Sequence, residues 1–460
     1  MHSSFLPILS LLFFTTSASS SSTSDATWTS WDLEQTCSPS TTLNATDVSE
    51  LASALSSSKY SSVKTVGAGH SFSSIALTNG MADDDGSSLL ISLDALSGII
   101  AISDANLDSS VDVKVHAGTR LRDLNAMLED EGLAFRNLGA TAAQSVAGAI
   151  QTGTHGTGRE LGSISTAVVG LEMLDASGTL VEATKGSNSE LLSYASVGLG
   201  CFGVITTVTL NVVPIFKLRK TQFDMKLEEL ISRHDEFYAQ YPRFQWSYVP
   251  HTDTATVMLR EEVPWETTGP GCWDEDAIRL DSEAHLFTSN DRRRASSANT
   301  TCVDVSYKAL VDSYDHYVER TLYTEMEMFV SVEFVLPLLS DWLDAQATLP
   351  ISDSLYCNHR YVAADDLPLS PQFNRDTVVF SFIVLGTKTS PADQDLFQQY
   401  ASTLEALAKS YGGTPHWGKQ NYAERADLEV FYDLDRLDDV RRGYDPDGIF
   451  LNDYLEARIL

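Results

Sequence analysis

The stretch Lys64-Thr65-Val66-Gly67-Ala68-Gly69-His70-Ser71-Phe72-Ser73 restricts what this chain can fold into more than any other. Its first residues read as a short strand, and two glycines hinge that strand into a turn presenting His70. Gly67 and Gly69 take backbone angles that other residues avoid and let a ligand come close to the main chain. Their amides can line an anion-binding concavity. An imidazole directly after such a nest points to a large, phosphate-bearing cofactor with a reactive ring nearby. An incidental histidine on a glycine-rich surface turn would look the same, so the motif takes its weight from the other motifs of the chain.

A second motif runs through Asn137-Leu138-Gly139-Ala140-Thr141 and on from Gln144-Ser145-Val146-Ala147-Gly148-Ala149 to Gly158. It reads as a short helix of small residues opening into a Gly/Thr-rich loop. Gly148 and Ala149 admit a flat ring or another backbone. The loop from Thr154 to Gly158 offers amides and hydroxyls suited to a pyrophosphate or to carbonyl oxygens. Gly153, Gly156 and Gly158 cluster beside His155, which is more than tight helix packing requires. The motif is not the G-x-G-x-x-G fingerprint, which joins a strand to a helix and precedes an acidic residue about 20 positions on. A Rossmann NAD enzyme is therefore set aside.

A chain of 460 residues is longer than one core usually serves, so two domains are expected. Its formal net charge of −32 repels phosphate backbones and anionic lipid, which argues against a nucleic-acid partner. Any anionic group must then be held by a locally positive pocket. Residues 1–26 read as a signal peptide: an apolar run from Phe5 to Phe14, then small residues from Thr15 to Ser24, with only His2 in the basic region. No later apolar run is long enough for a membrane span, so the expectation is a soluble protein of the secretory pathway, extracellular or in an organelle lumen. The sequons Asn44-Ala45-Thr46 and Asn299-Thr300-Thr301 agree with a glycoprotein. None of the five cysteines has metal-ligand spacing, and no metal is expected. Cys272 and Cys302 bracket a polar stretch and could pair in an oxidising lumen. Cys201, in an apolar segment, reads as simply buried.

The order of elements is α+β. Asn44 to Leu55 reads as a capped helix. Strands are expected at 63–66, 88–93, 99–102 and, from its clean alternation, Val111 to Val115. A helix carries Leu121, Leu124 and Leu128, and 166–174 with 179–183 form a hairpin around Asp175-Ala176-Ser177-Gly178. A β-branched run spans 203–213. After Pro214 the style changes. Leu227 to Tyr238 and Ser306 to Thr321 read as helical, Arg260 to Thr300 as loops with a basic knot at Arg292-Arg293-Arg294, and 330–336 and 378–385 as strands. The expected domains are 27–213 and 214–410, with 411–460 returning to the first.

Four blocks bring a family into view: Gly67 to Ser73, Asn137 to Gly158, Pro415-His416-Trp417-Gly418-Lys419, and Asp445-Pro446-Asp447-Gly448-Ile449-Phe450-Leu451-Asn452. In order and spacing the chain resembles the sugar-1,4-lactone oxidases (L-gulonolactone and D-arabinono-1,4-lactone oxidases) of the vanillyl-alcohol-oxidase superfamily. The resemblance implies a two-subdomain FAD-binding domain with a mixed-sheet cap over the flavin. It implies FAD attached through a ring nitrogen of His70 to the flavin 8-methyl group. It places Gly67, Ala68, Gly69, Ser71, Phe72, Ser73, Gly139, Ser145, Gly148, Gly153, Thr154, His155, Gly158, Ile205 and Lys419 around the cofactor. The implied reaction is oxidation of a sugar-1,4-lactone by hydride transfer to flavin N5, with O2 as acceptor, H2O2 as by-product and an ascorbate-type product.

On the substrate side the candidates are Lys419, Arg360, Asn358, Glu333 and His416. A cation beside a flavin stabilises its anionic reduced ring and a hydroxyl losing its proton. A lone lysine is ordinarily a solvated surface charge, but Lys419 lies between Pro415-His416-Trp417-Gly418 and Tyr422. Arg360 matches the arginine of the family's Glu-x-Arg pair, and Asn358 stands where the glutamate would be. Glu333, in Val332-Glu333-Phe334, matches another family position and is the expected compensation. Gly139 matches a glycine that the lactone oxidases resemble one another in having, where bulk is associated with blocking oxygen. The alternatives are an alditol or other carbohydrate oxidase and a non-catalytic secreted carbohydrate-binding flavoprotein. The partners expected are a sugar lactone or polyol and molecular oxygen, and the oligomeric state stays open.

Overall fold

The computed structural model describes residues 27–79, 87–103, 110–273, 299–311, 322–352, 354–386 and 391–460. Residues 1–26, read above as a signal peptide, and Arg292-Arg293-Arg294 lie outside the described residues. Alternation decides much of what is seen. In Val111–His116 the valines at 111, 113 and 115 are buried and the residues between them are not. That strand joins a six-stranded antiparallel sheet through Val204–Pro214, with the hairpin Val168–Leu174 and Leu180–Thr184 on one side and Ile99–Ile102 on the other. The hairpin turns on Asp175, whose carboxylate accepts the amides of Ser177 and Thr179, and on Gly178 at φ +80. A three-stranded parallel sheet, ordered Thr41–Asn44, Ser88–Ser92, Ser62–Val66, stands beside it. Helix Val48–Ser56 connects two of its strands, capped by Asp47 and burying Leu51 and Leu55.

The second large element is an eight-stranded antiparallel sheet. Its order is Thr300–Val305, Lys217–Lys226, Thr254–Val263, Arg243–Tyr248, Leu355–Val362, Thr377–Leu385, Tyr323–Ser331, Thr414–Pro415. One face carries Trp246, Val257, Met326, Met328, Phe380 and Phe382, which form a core with helices Val335–Gln346 and Pro391–Ser410. The opposite face carries Gln245, Asn358, Arg360, Ser381, Glu325 and Glu327, and it looks onto the site.

The C-terminal residues Trp417, Leu428, Leu437, Phe450, Leu451 and Leu455 are buried in the core of the first two sheets. Backbone bonds stitch this tail to the strand and turn leading to His70. Val63 donates to Ile449 O at 2.7 Å and Phe72 to Gly418 O at 2.8 Å. The Ser73 hydroxyl donates to Trp417 O at 2.8 Å and Lys64 Nζ to Phe450 O at 3.0 Å.

Several expectations are corrected. The stretch 330–336 is not a strand: the strand Tyr323–Ser331 ends there and a helix begins at Val335. Pro337 sits in the first turn of that helix, where no intrahelical N–H is needed. Arg260 lies inside a ten-residue strand rather than a loop. Leu227 to Tyr238 divides into two short helices, Leu227–Ser232 and His234–Gln240. Of 306–321 the described helix is Ser306–Leu310. The arm before Pro39 holds a small hairpin, Trp28–Thr29 against Thr36–Cys37. Cys272 and Cys302 form a disulfide, and Cys201 is fully buried.

Candidate active site

The site is built where the His70 turn meets the polar face of the eight-stranded sheet. Gly69 has φ +71, and its carbonyl accepts the amide of Trp31 at 2.9 Å. A Cβ at Gly67 would come within 2.5 Å of Ser145 Oγ, so only glycine lets the capped helix Val146–Gln151 close against the turn. Two cavities share His70, Ser71, Gln144 and Thr152 in their walls. The first, about 1080 Å³ with its mouth, is lined by Gly67, Ala68, Gly69, Ser73, Ser145, Gly148 and Ile205. The second, about 1530 Å³ with its mouth, is lined by Phe72, Gly139, Thr154, His155, Asn358, Arg360, His416 and Lys419.

Three of the candidates fall elsewhere. Glu333 is exposed and accepts from the Ser331 hydroxyl at 3.2 Å, because it lies in the short 3₁₀ turn beyond the strand's end. Gly153, at φ +73, packs against Pro371 and lines neither cavity. Gly158 donates its amide to Tyr361 O at 2.6 Å, a structural bond to the sheet.

The carboxylates of the site are Glu325 and Glu327, which sequence reasoning misses. Both project from Tyr323–Ser331 into the second cavity, while Met326 and Met328 fill the core behind. The alternation Thr324-Glu325-Met326-Glu327-Met328 is the available signal. It identifies a polar face but not that the face meets a cleft rather than water.

Lys419 pairs with Glu325 and lies 5.1 Å from the centre of the Phe72 ring. Burial alone would lower its ammonium. Glu325 and Glu327 override that and hold it above the usual lysine value. Glu325 also accepts from the Ser381 hydroxyl at 2.8 Å. Burial pushes its carboxyl up and Glu327's charge adds to this, while burial of Glu327 is outweighed by Lys419, His155 and His416, which hold it well down. Of the two neighbouring carboxyls, Glu327 is thus the more acidic and Glu325 the less.

Glu327 is a hub. Oε2 lies 3.2 Å from His155 Nε2 and 4.0 Å from His416 Nε2, and Oε1 lies 3.9 Å from Arg360. His155 Nδ1 faces Gly156 O at 2.9 Å, so both of its nitrogens face acceptors. His416 Nδ1 accepts the Gly418 amide at 3.0 Å, which puts its proton on Nε2 toward Glu327. Burial drives that imidazole down to about 3, so it is neutral. The ligand atoms of His155, Glu327 and His416 lie within 4.8 Å of one another. Nε2 of both imidazoles faces Glu327 Oε2.

His70 is placed differently. Its Nδ1 is buried without a hydrogen-bond partner. Burial, reinforced by the charges of Lys419 and Arg120, lowers the imidazole to about 3. A neutral imidazole in the wall of both cavities is a competent nucleophile toward a ring in the first. The glycine cradle at 67–69 and this unpartnered nitrogen fit a bound flavin.

A cradle for a large cofactor, facing a partly buried lysine across a polar cleft, fits a flavin-dependent oxidoreductase. Residues 39–184 match the FAD binding domain family. Residues 208–458, more than half of the chain, match the D-arabinono-1,4-lactone oxidase family, and the chain belongs to that family. It is 30% identical over 453 residues to an L-gulonolactone oxidase of Mus musculus, covering 93% of this chain and 96% of that one. It is also 30% identical over 454 residues to an L-gulono-1,4-lactone dehydrogenase of Mycobacterium tuberculosis (strain CDC 1551 / Oshkosh), covering 93% and 97%. In fold it is similar to a solvent-stable cholesterol oxidase, with TM-score 0.73 at 17% identity over 94% of this chain and 97% of that one.

Glu327→Gln leaves His155 and Arg360 facing a neutral amide in a buried site, and is expected to cost about 3–5 kcal/mol of stability at pH 7. Glu327 is depressed in the folded state. Its contribution is therefore complete above the ordinary carboxylate value and is lost as pH falls through the lowered folded value. Urea unfolding of both proteins down a pH series checks this. A gap that is absent at pH 7, or that does not narrow on acidification, would refute the assignment.

Proposed function

We propose that this enzyme oxidises a sugar-1,4-lactone of the L-gulono-, L-galactono- or D-arabinono- type, with FAD held covalently by His70 and O2 as the acceptor, giving H2O2 and an ascorbate-type product. The observation that carries the reading is the Lys419–Glu325 pair, which shares the second cavity with His70. FAD, when bound, supplies the two-electron acceptor for hydride from the substrate carbon. Gly67, Gly69, Ser71, Ser145, Gly148 and Ile205 line the space for it. Lys419 and Arg360 stabilise the substrate oxygen as its proton leaves. The neutral His416 sits beside Glu327, able to share a hydrogen bond without adding charge.

The charges of the cleft are met in pairs, Lys419 by Glu325 and Arg360 by Glu327. A carboxylated substrate would bring an uncompensated charge into this cleft, whereas a neutral polyhydroxylated ring brings none. Asn358 extends this. Its carbonyl oxygen accepts from Gln245 Nε2 at 3.2 Å, and Gln245 in turn accepts from Arg260 at 3.0 Å. The amide group that Asn358 has left is a donor, suited to a lactone carbonyl or ring oxygen, where a glutamate would offer only acceptors.

Anaerobic addition of L-gulono-1,4-lactone is expected to bleach the flavin absorbance, and Lys419→Met to slow bleaching by about 10²–10³. Bleaching by alditols and not by lactones would select the alditol oxidase instead. A yellow, folded protein bleached by neither would be a carbohydrate-binding flavoprotein.

The acceptor is separable from the rest, since relatives of equal identity are named oxidase and dehydrogenase. Gly139 favours oxygen. It lines the second cavity, and a Cβ there would come within 2.7 Å of the Thr154 methyl. Gly139→Val is expected to slow reoxidation by O2 while turnover with an artificial electron acceptor persists. Stopped-flow reoxidation measures this, and an unchanged oxygen rate would sink the oxidase assignment at this residue.

A secretory route fits three features: exposed Asn44 and Asn299 within their sequons, the Cys272–Cys302 disulfide, and the leader-like stretch 1–26. No helix among the described residues is long and apolar enough to cross a membrane. Endoglycosidase treatment of protein from a eukaryotic host is expected to lower its apparent mass, and no change in mass would count against glycosylation.

A further inference from the structure

Directly against His70 lies a segment to which the reaction assigns nothing. The hairpin Trp28–Thr29 with Thr36–Cys37 brings Trp31 over the turn. The Trp31 indole stacks on the His70 imidazole, with centroids 4.8 Å apart and planes 28° from parallel. Its amide donates to Gly69 O at 2.9 Å, and its ring meets Tyr323 edge-on at 5.1 Å. Ser30 and Asp32 on either side are buried, and Gln35 donates to Phe72 O at 3.4 Å. The arm is therefore packed against the turn rather than trailing from it.

The kind of contact matters. A carboxylate or carbonyl partner would orient an imidazole by binding one of its nitrogens, and a carboxylate would also favour its charged form. An aromatic face fixes the plane of the ring and leaves both nitrogens free. The buried histidines nearby show the contrast. Both nitrogens of His155 face acceptors, and His416 Nδ1 takes the Gly418 amide. His359 also stacks on a tryptophan, Trp246, at 4.0 Å, but it lines neither cavity. Among these four, only His70 combines a stacked ring, an unpartnered nitrogen and a place in the cavity wall.

We propose that Trp31 is a positioning residue for flavin attachment: its indole face holds the His70 imidazole in the plane from which a ring nitrogen reaches the cofactor in the first cavity. The inference rests on the reading of His70 as the attachment point. Attachment exchanges one C–H of the flavin 8-methyl group and the imidazole N–H for one C–N bond. The two electrons and two protons released pass to dioxygen, which leaves as hydrogen peroxide.

The test compares wild type, His70→Ala, Trp31→Ala and Trp31→Phe. Each is purified, precipitated with acid and resolved on a denaturing gel, and the protein-bound flavin fluorescence is read against the FAD released. Wild type keeps its flavin and His70→Ala releases all of it. Trp31→Ala still carries FAD, but the covalent fraction falls by about fivefold or more. Trp31→Phe, which restores an aromatic face, recovers most of that loss. Wild-type attachment in Trp31→Ala overturns the proposal, as does loss of all FAD, bound and released alike. Should Trp31→Ala fail to fold, Trp31→Leu keeps the apolar bulk without the ring, and full attachment in it overturns the proposal equally. A wild-type protein that releases its flavin overturns the His70 reading itself, an outcome distinct from attachment that ignores Trp31.

Discussion

The ion pair between Lys419 and Glu325 is the interaction on which the architecture turns. Lys419 comes from the C-terminal segment, whose Trp417 and Leu455 are buried with the first two sheets. Glu325 comes from the eight-stranded sheet, whose other face has its own core. The pair therefore adds a side-chain link between two separately packed cores, in the wall of the second cavity. Burying two charges costs several kcal/mol of hydration per ion, and the mutual attraction roughly returns it. Such a pair is a poor way to gain stability and a good way to fix geometry. The stitching of Phe72 to Gly418 and of Ser73 to Trp417 sets where the lysine stands relative to the turn that carries His70.

The same low dielectric sorts the site's histidines by their partners. Three imidazoles lie within one cleft, and each is given a different task by what touches its nitrogens. Glu327 and Gly156 hold His155 by both nitrogens. A backbone amide fixes the tautomer of His416. His70 meets an aromatic face and keeps a nitrogen unpaired. Residue type alone does not distinguish them.

That limit describes how much is legible in the sequence. The His70 turn and the alternating strand Val111–His116 are readable because their signals are local: glycine where the backbone needs it, and valine at every second position. The α+β class rests on the same signals. The carboxylates of the site are not readable. Asn358 marks a missing glutamate, and the motif around Glu333 offers a replacement in the wrong place. The chain has already left the sheet at Ser331, which turns Glu333 to solvent. Glu325 and Glu327, two and four residues inside the strand's first residue, fill the place instead. Their alternation with methionine is visible, but only tertiary structure decides whether the polar face of a strand meets water or a cleft. The arm has no periodic signal at all, and Trp31 acquires a meaning only once it is seen on His70.

A protein of net charge −32 nevertheless binds an anionic dinucleotide. Long-range repulsion is screened beyond about 8 Å at physiological ionic strength, so the local field decides. The wall of the first cavity holds the Gly67–His70 turn and Lys64. Lys64 is buried, its ammonium bonded to Phe450 O and its pKa pushed down by burial to about 8. A phosphate brought close to this lysine would favour its charged form. The acidic exterior therefore weighs less on cofactor affinity than the local field of the cavity does. An anionic cofactor and an acidic exterior are compatible because the two act on different length scales.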